Sequence, residues 1–334
     1  MSTFDWHPGS LLQLSGSYWQ AFALHAAVKL SFFNALSKEP LSAEAVSQEL
    51  QTDIDGTERL LNALCAMALI RKKERHYALT EAARRFLVET SEEYIGYLIL
   101  HHHHLSPAWT RLDESVRTGE PQRQSASFSG GQQREAFLMG MFNQATQQAS
   151  AVVEQIPLGE RERLLDFGGG PGTYAIHFCL RNPDLSATVF DLPTTRPFAE
   201  KTISRYGLSD RIRFHPGDFI EDEIDGKYDV AWLSHILHGE GEADCRKLIA
   251  KAVASLSPNG LIFIHEFILD DDMDGPLFPA LFSLNMLVGT EKGQAYSEAQ
   301  LRQMLAEAGI DKIERMPYEG PTQSGILRGT VSRL

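Results

Sequence analysis

Leu164-Leu165-Asp166-Phe167-Gly168-Gly169-Gly170-Pro171-Gly172 is the stretch on which the reading of this chain turns. A short apolar run carrying an acidic residue breaks into glycines, and an amphipathic pattern resumes from Tyr174 to Arg181. Strand, tight turn and helix in that order build a nucleotide site at the carboxyl end of the first strand of an open α/β sheet. Glycines there let a ligand approach the backbone, and the helix N-terminus offers N–H groups to a carboxylate or phosphate. A dinucleotide fingerprint would continue with glycine three residues after the second one. That position is Thr173. The glycines stand instead at 168, 170 and 172, with Asp166 before them.

Four more β-rich runs follow. Thr188 to Phe190 ends at Asp191, placed to accept the ribose hydroxyls of an adenosine. Ile212-Arg213-Phe214 leads into Gly217-Asp218-Phe219, an acidic–aromatic pair suited to an adenine amino group and ring. Tyr228 to Leu233 precedes Ser234, His235 and His238. Gly260 to Glu266 follows a helix over Glu242 to Leu256 and a Pro258-Asn259-Gly260 turn. Strands alternating with helices predict a mostly parallel, Rossmann-like sheet with helices on both faces.

These segments carry a resemblance. From about residue 160 onward the chain resembles the S-adenosylmethionine (SAM)-dependent O-methyltransferases of the caffeate, acetylserotonin and bacterial polyketide-tailoring type. The matching runs are Leu165 to Gly172, Phe190 to Pro193, Pro216 to Phe219, Leu237-His238, Ile264 to Phe267, Leu284 to Thr290 and Ser297 to Leu301. The resemblance implies SAM as cofactor and S-adenosylhomocysteine (SAH) as product. Gly168 and Gly170 then shape the cofactor turn, Asp191 holds the ribose, Asp218 and Phe219 the adenine, and Ser234 touches the cofactor. It also makes His238 the general base and Glu266 the carboxylate that orients it. Phe137, Met141, Phe142, Leu284 and Met286 are read as lining the acceptor pocket. Two departures stand out. Gly239-Glu240 follows the histidine where the family usually has Asp-Trp, and Ala295 occupies the place of a second supporting glutamate, with Glu291 nearby.

A base suits the chemistry. Methyl transfer from a sulfonium needs positioned partners and an unmasked nucleophile. A phenol, with a pKa of about 10, is mostly protonated at neutral pH, which gives a histidine work to do. A carbon methyltransferase with the same site, a non-methylating enzyme on this fold and a SAM-sensing regulator are the competing classes, because fold alone does not choose among them.

The first part of the chain reads as helical. Leu11 to Leu36 holds more apolar and aromatic side chains than one amphipathic face needs, so it is expected to be buried on several sides, in its own domain or against a second subunit. Leu41 to Leu50 has Ser42 as N-cap, Asp55 to Ile70 forms a further helix, and Arg71 to Leu79 a β-wing. This winged-helix outline ordinarily suggests DNA binding. Against it stands a formal charge of −13, from 31 basic and 44 acidic residues, which repels a polyanion. In the resembling family the domain serves homodimerisation, so a small-molecule acceptor and a second copy are the expected partners, without nucleic acid or membrane.

Three parts are expected: a dimerisation domain over 1–105, connecting helices over 106–156 and a cofactor domain over 157–334. The connecting helices are placed at Glu92 to His104, Pro107 to Arg117 and Gln132 to Gln155, around an exposed loop from Glu120 to Gly131. Three scattered cysteines without a CxxC pair read as reduced thiols, and no signal or membrane-length apolar run appears, which points to the cytoplasm. The His101 to His104 run reads as a polar helix end, not a metal site, because successive helical side chains diverge.

Overall fold

The computed structural model describes residues 6–124 and 130–331. It divides into two compact units after Ser106.

The first unit opens with α1 (Pro8–Gly16), α2 (Tyr18–Lys29) and α3 (Phe32–Ala35). The single buried helix expected over Leu11 to Leu36 is thus three, and burial begins in the second half of α2, at His25, Ala27 and Val28. Ser31 turns left-handed at φ 61, and Phe32, Phe33 and Leu36 enter the core with Val46, Leu61 and Leu64. Next come β1 (Leu41–Ser42), α4 (Ala43–Leu50) and α5 (Ile54–Ala66), with the Ser42 side chain capping Ala45 N and Asp53 capping Gly56 N. The helix expected to reach Ile70 stops at Ala66, because Ala68 adopts φ 57 and Ile70 already begins a strand. β2 (Ile70–Lys73) and β3 (His76–Leu79) form the expected wing, which β1 widens to three antiparallel strands. α6 (Glu81–Leu87) closes it.

α7 (Gly96–Trp109) runs through Pro107, where a new helix was expected. Proline removes one N–H from the ladder. The carbonyl it leaves, on His103, accepts the Ser106 hydroxyl at 2.7 Å instead. The four histidines lie inside this helix, not at its end; His101 is buried, and His103 Nε2 is 3.1 Å from Lys29 Nζ.

In the second unit, α8 (Leu112–Thr118) and α9 (Gly131–Glu154) precede the sheet. Residues 125–129 of the expected loop lie outside the described residues. The main chain of the fold is β4 (Arg163–Phe167), α10 (Thr173–Arg181), β5 (Ser186–Asp191), α11 (Arg196–Arg205), β6 (Ile212–Pro216), β7 (Tyr228–Ser234), α12 (Glu242–Ala254) and β8 (Leu256–Leu269). Then follow α13 (Leu277–Gly289), β9 (Tyr296–Ser297), α14 (Glu298–Glu307), β10 (Ile310–Arg315) and β11 (Ser324–Val331). The strand order is β10-β11-β8-β7-β4-β5-β6; β8 to β6 run parallel, and β10 and β11 are antiparallel. The expected Pro258-Asn259-Gly260 turn is a bulge inside β8, where pairing with β7 jumps from Leu256 to Leu261 and Asn259 takes φ 63.

Alternation along the central strands splits the core across the sheet. Leu164, Val230, Trp232 and Phe263 pack on one face, Leu165, Phe167, Leu233 and Ile264 on the other. Strands buried on both faces must be apolar at nearly every position, which is why β4 reads as a continuous run. Order reverses at β4, whose successor β5 lies on one side and β7 on the other. Ligands of open α/β sheets bind beyond the carboxyl ends of such strands.

Candidate active site

The carboxyl edge of the sheet gathers most of the polar side chains singled out above. After β4, Gly168 takes φ 67, and a Cβ there would stand 2.6 Å from Ile236. Gly170 also has positive φ, 54, but nothing lies within 4 Å of its Cβ position, so the turn borders open space. α10 starts directly behind, with Gly172 as its N-cap. Beneath the turn, Asp166 is fully buried and accepts a bond from Ala175 N at 3.0 Å. Burial, with a smaller push from Asp191, raises its pKa to about 7.

Asp191 ends β5 and is already engaged. One carboxylate oxygen accepts Gly170 N at 2.8 Å; the other accepts Leu192 N at 2.7 Å and the Thr195 hydroxyl at 2.8 Å. Burial raises its pKa, and these three donors work against that rise. A carboxylate offers about four acceptor positions, so a grip on both ribose hydroxyls requires one internal donor to yield. Asp218 and Phe219 follow β6, both half-buried; Asp218 Oδ1 accepts Ile220 N at 2.8 Å, and the Phe219 ring lies 6.0 Å from that of Phe167. Open space beside a glycine turn flanked by a carboxylate and an aromatic ring fits a nucleoside. Ser234 ends β7, with its hydroxyl 3.2 Å from His265 Nδ1.

Beyond β7 the chain turns at His235, at φ 55, into a short 3-10 turn, Leu237–Gly239, that carries His238. Glu266, on β8, supports that turn. Its Oε1 accepts Leu237 N at 2.9 Å, and its Oε2 lies 2.8 Å from His238 Nδ1 and 3.7 Å from His235 Nδ1. Burial alone would raise the Glu266 pKa; the His238 and His235 imidazoles more than offset it and hold the group well below the usual carboxylate range. An ionised carboxylate only accepts, so the His238 Nδ1 hydrogen points to it, and Nε2 is the ring nitrogen turned away from Glu266. Phe267 stacks on the imidazole at 5.7 Å and Phe282 meets it edge-on at 4.7 Å. His265, fully buried, is held far below ordinary histidine pKa by desolvation and His235, and bonds Ser324 through Nε2 at 3.1 Å. It is a neutral core residue.

Both departures are visible here. Gly239 has nothing within 4 Å of its Cβ position, so the usual aspartate has simply not been built. Ala295 is buried and Glu291 exposed; among the described residues, Glu266 is the carboxylate paired with His238. His235, His238 and Glu266 also form the one group of three potential metal ligands among the described residues.

The expected pocket residues divide. Met286 is buried on α13, and Phe137, Met141 and Leu284 are half-buried. Phe142, at 4% exposure, lies deeper, in the core cluster, with its ring 6.4 Å from that of Tyr206. Sequence reasoning missed Thr195, Phe282 and the orienting role of the Leu237 N–H. Phe267 stood in a matching run without a role.

The chain is similar to a group of known proteins. Residues 109–311 match the O-methyltransferase domain model, and residues 12–89 match the O-methyltransferase dimerisation domain. A 3-hydroxy-5-methyl-1-naphthoate 3-O-methyltransferase of Streptomyces sahachiroi is 32% identical, over 96% of this chain and 95% of its own length. Bovine acetylserotonin O-methyltransferase is 30% identical, over 95% and 96%. PigF, a SAM-dependent methyl transferase known from a Serratia strain, superposes in its SAH-bound structure with a TM-score of 0.89 at 25% identity, over 97% of this chain and all of that one. No helix among the described residues is long and apolar enough to cross a membrane. The chain belongs to the SAM-dependent O-methyltransferase family, with that family's dimerisation domain at its N-terminus.

Proposed function

We propose that His238 is the general base of methyl transfer to an aromatic hydroxyl, with Glu266 as its orienting partner. The observation that carries this reading is the 2.8 Å contact between His238 Nδ1 and a Glu266 carboxylate held ionised. When bound, SAM supplies an activated methyl group; Gly168, Gly170, Asp191, Asp218, Phe219 and Ser234 are the residues assigned to hold it. His238 Nε2 receives the hydroxyl proton as the acceptor oxygen becomes nucleophilic. Glu266 stabilises the resulting imidazolium, and two backbone N–H bonds, from Leu237 and Phe267, keep the carboxylate in register. Phe267 and Phe282 exclude water around the ring pair.

The acceptor in this reading is a small aromatic or polyketide-like molecule, as in the naphthoate and tetracenomycin methyltransferases among the relatives. Its pocket draws on Phe137, Met141, Leu284 and Met286, so the helices over 106–156 belong with the cofactor domain. The assembly is a homodimer through the N-terminal unit, whose α1 and α2 expose Leu12 at 74% and Trp19 at 70%. Incubating the protein with SAM and a panel of hydroxylated aromatic compounds, with products read by mass spectrometry, tests the reading. A methyl ether is expected; a methylated ring carbon, or SAM binding without product, contradicts it.

A further inference from the structure

Among the described residues, Arg123 is a cation without an acidic partner. Its guanidinium lies over the backbone of Gly289, at the end of α13, where any Cβ would land on it. Among the described residues, its Nη1 donates to the Gln124 carbonyl at 3.2 Å, and Nε is buried with no acceptor. No carboxylate pairs with it among the described residues, and the adjoining segment 125–129, Ser-Ala-Ser-Phe-Ser, contains no acidic residue. Burial lowers its pKa, with no acid acting against that. The neighbouring Gln122 N–H bonds the Val288 carbonyl at 2.9 Å, which pins this segment to α13. Leaving a partly buried charge uncompensated costs stability unless a ligand supplies its counterion.

Its position says which ligand. On α13, Phe282, Met286 and Gly289 fall at i, i+4 and i+7, one face of the helix. Phe282 meets the His238 ring, so the guanidinium stands on the same face about 10 Å further along the axis. A two-ring aromatic acid spans that interval, hydroxyl at one end and carboxylate at the other. We propose that Arg123, whose guanidinium is seated in the space that the missing side chain of Gly289 leaves, is a specificity residue that binds a carboxylate on the acceptor.

This rests on the acceptor reading above, yet binding tests it without turnover. 1-Naphthoate and 1-naphthamide are titrated by calorimetry into the full-length protein saturated with SAH. Wild type is expected to bind the acid at least tenfold more tightly than the amide, a charge-assisted hydrogen bond being worth a tenfold to hundredfold preference. Arg123→Gln removes the preference, and Gly289→Ala, which displaces the guanidinium while keeping it, does the same. Because Arg123→Gln deletes an uncompensated charge, its Tm should equal or exceed that of wild type. Equal affinity for acid and amide in wild type, or unchanged naphthoate binding in Arg123→Gln, overturns the proposal. A tenfold loss of SAH affinity in Arg123→Gln also overturns it, by assigning the guanidinium to the cofactor's own carboxylate. If naphthoate binds through Arg123 but no hydroxynaphthoate is methylated, the anchor stands and the methyl-acceptor reading falls.

Discussion

Replacing Asp191 with alanine removes more than a ribose acceptor. The same carboxylate ties Gly170 N and the Thr195 hydroxyl together, so the turn loses its clamp as the cofactor loses its partner. A tenfold to hundredfold drop in SAM affinity is expected by calorimetry, the worth of a charge-assisted bond; unchanged affinity in a folded variant would remove Asp191 from the site. Asp166 offers a different test. Its folded pKa, about 7, lies above the ordinary value of 3.8. Between those values the unfolded chain has released a proton that the folded chain keeps, so this residue makes stability fall as pH rises through that window, then level off. Asp166→Asn keeps an acceptor for Ala175 N without the charge. Its Tm relative to wild type should therefore be several degrees higher at pH 8 than at pH 5, by roughly the amount a few kcal/mol moves a midpoint. An equal effect at both values would mean the group is ionised without penalty.

At the level of elements, the exposed faces of α1 and α2 argue for a second copy. Leu11, Leu12, Leu14, Tyr18 and Trp19 are each more than half exposed in the single chain. Such a contiguous apolar surface marks an interface. The double variant Leu12→Arg, Trp19→Arg is expected to sediment as monomer or to aggregate, where the parent sediments as a dimer; a monomeric parent would refute the assignment. These helices also show where sequence reading stops. Periodicity marked Leu11 to Leu36 as apolar, but not that Ser31 turns left-handed between two helices, nor that α1 and the start of α2 stay exposed while Ala27, Val28, Phe32 and Phe33 are buried. The parallel strands were legible because burial on both faces demands unbroken apolar runs. The bulge at Asn259 and the passage of α7 through Pro107 were not. Both depend on local compensations, a register jump and a serine hydroxyl, that composition does not announce.

Across the whole molecule, the glycine turn and Asp191 were readable because each follows or ends a strand whose end could be counted, whereas His238 and Glu266 were singled out by the resemblance to the family. Asp191's internal donors, the two phenylalanine rings on His238 and the burial of Phe142 arise from tertiary packing between distant segments. Bound cofactor should stabilise the enzyme by mass action, about 2.7 kcal/mol at a hundred times Kd, visible as a rise in Tm with SAH that is much smaller in Asp191→Ala at equal concentration. The central claim is proton removal by His238. Its most direct test is methyl transfer by His238→Ala on an acceptor hydroxyl, with SAH affinity measured in parallel. Turnover should fall roughly 10²–10⁴-fold with SAH affinity nearly unchanged, and Glu266→Gln should cost less, since it keeps a hydrogen-bond partner. Near wild-type turnover in His238→Ala would contradict the account.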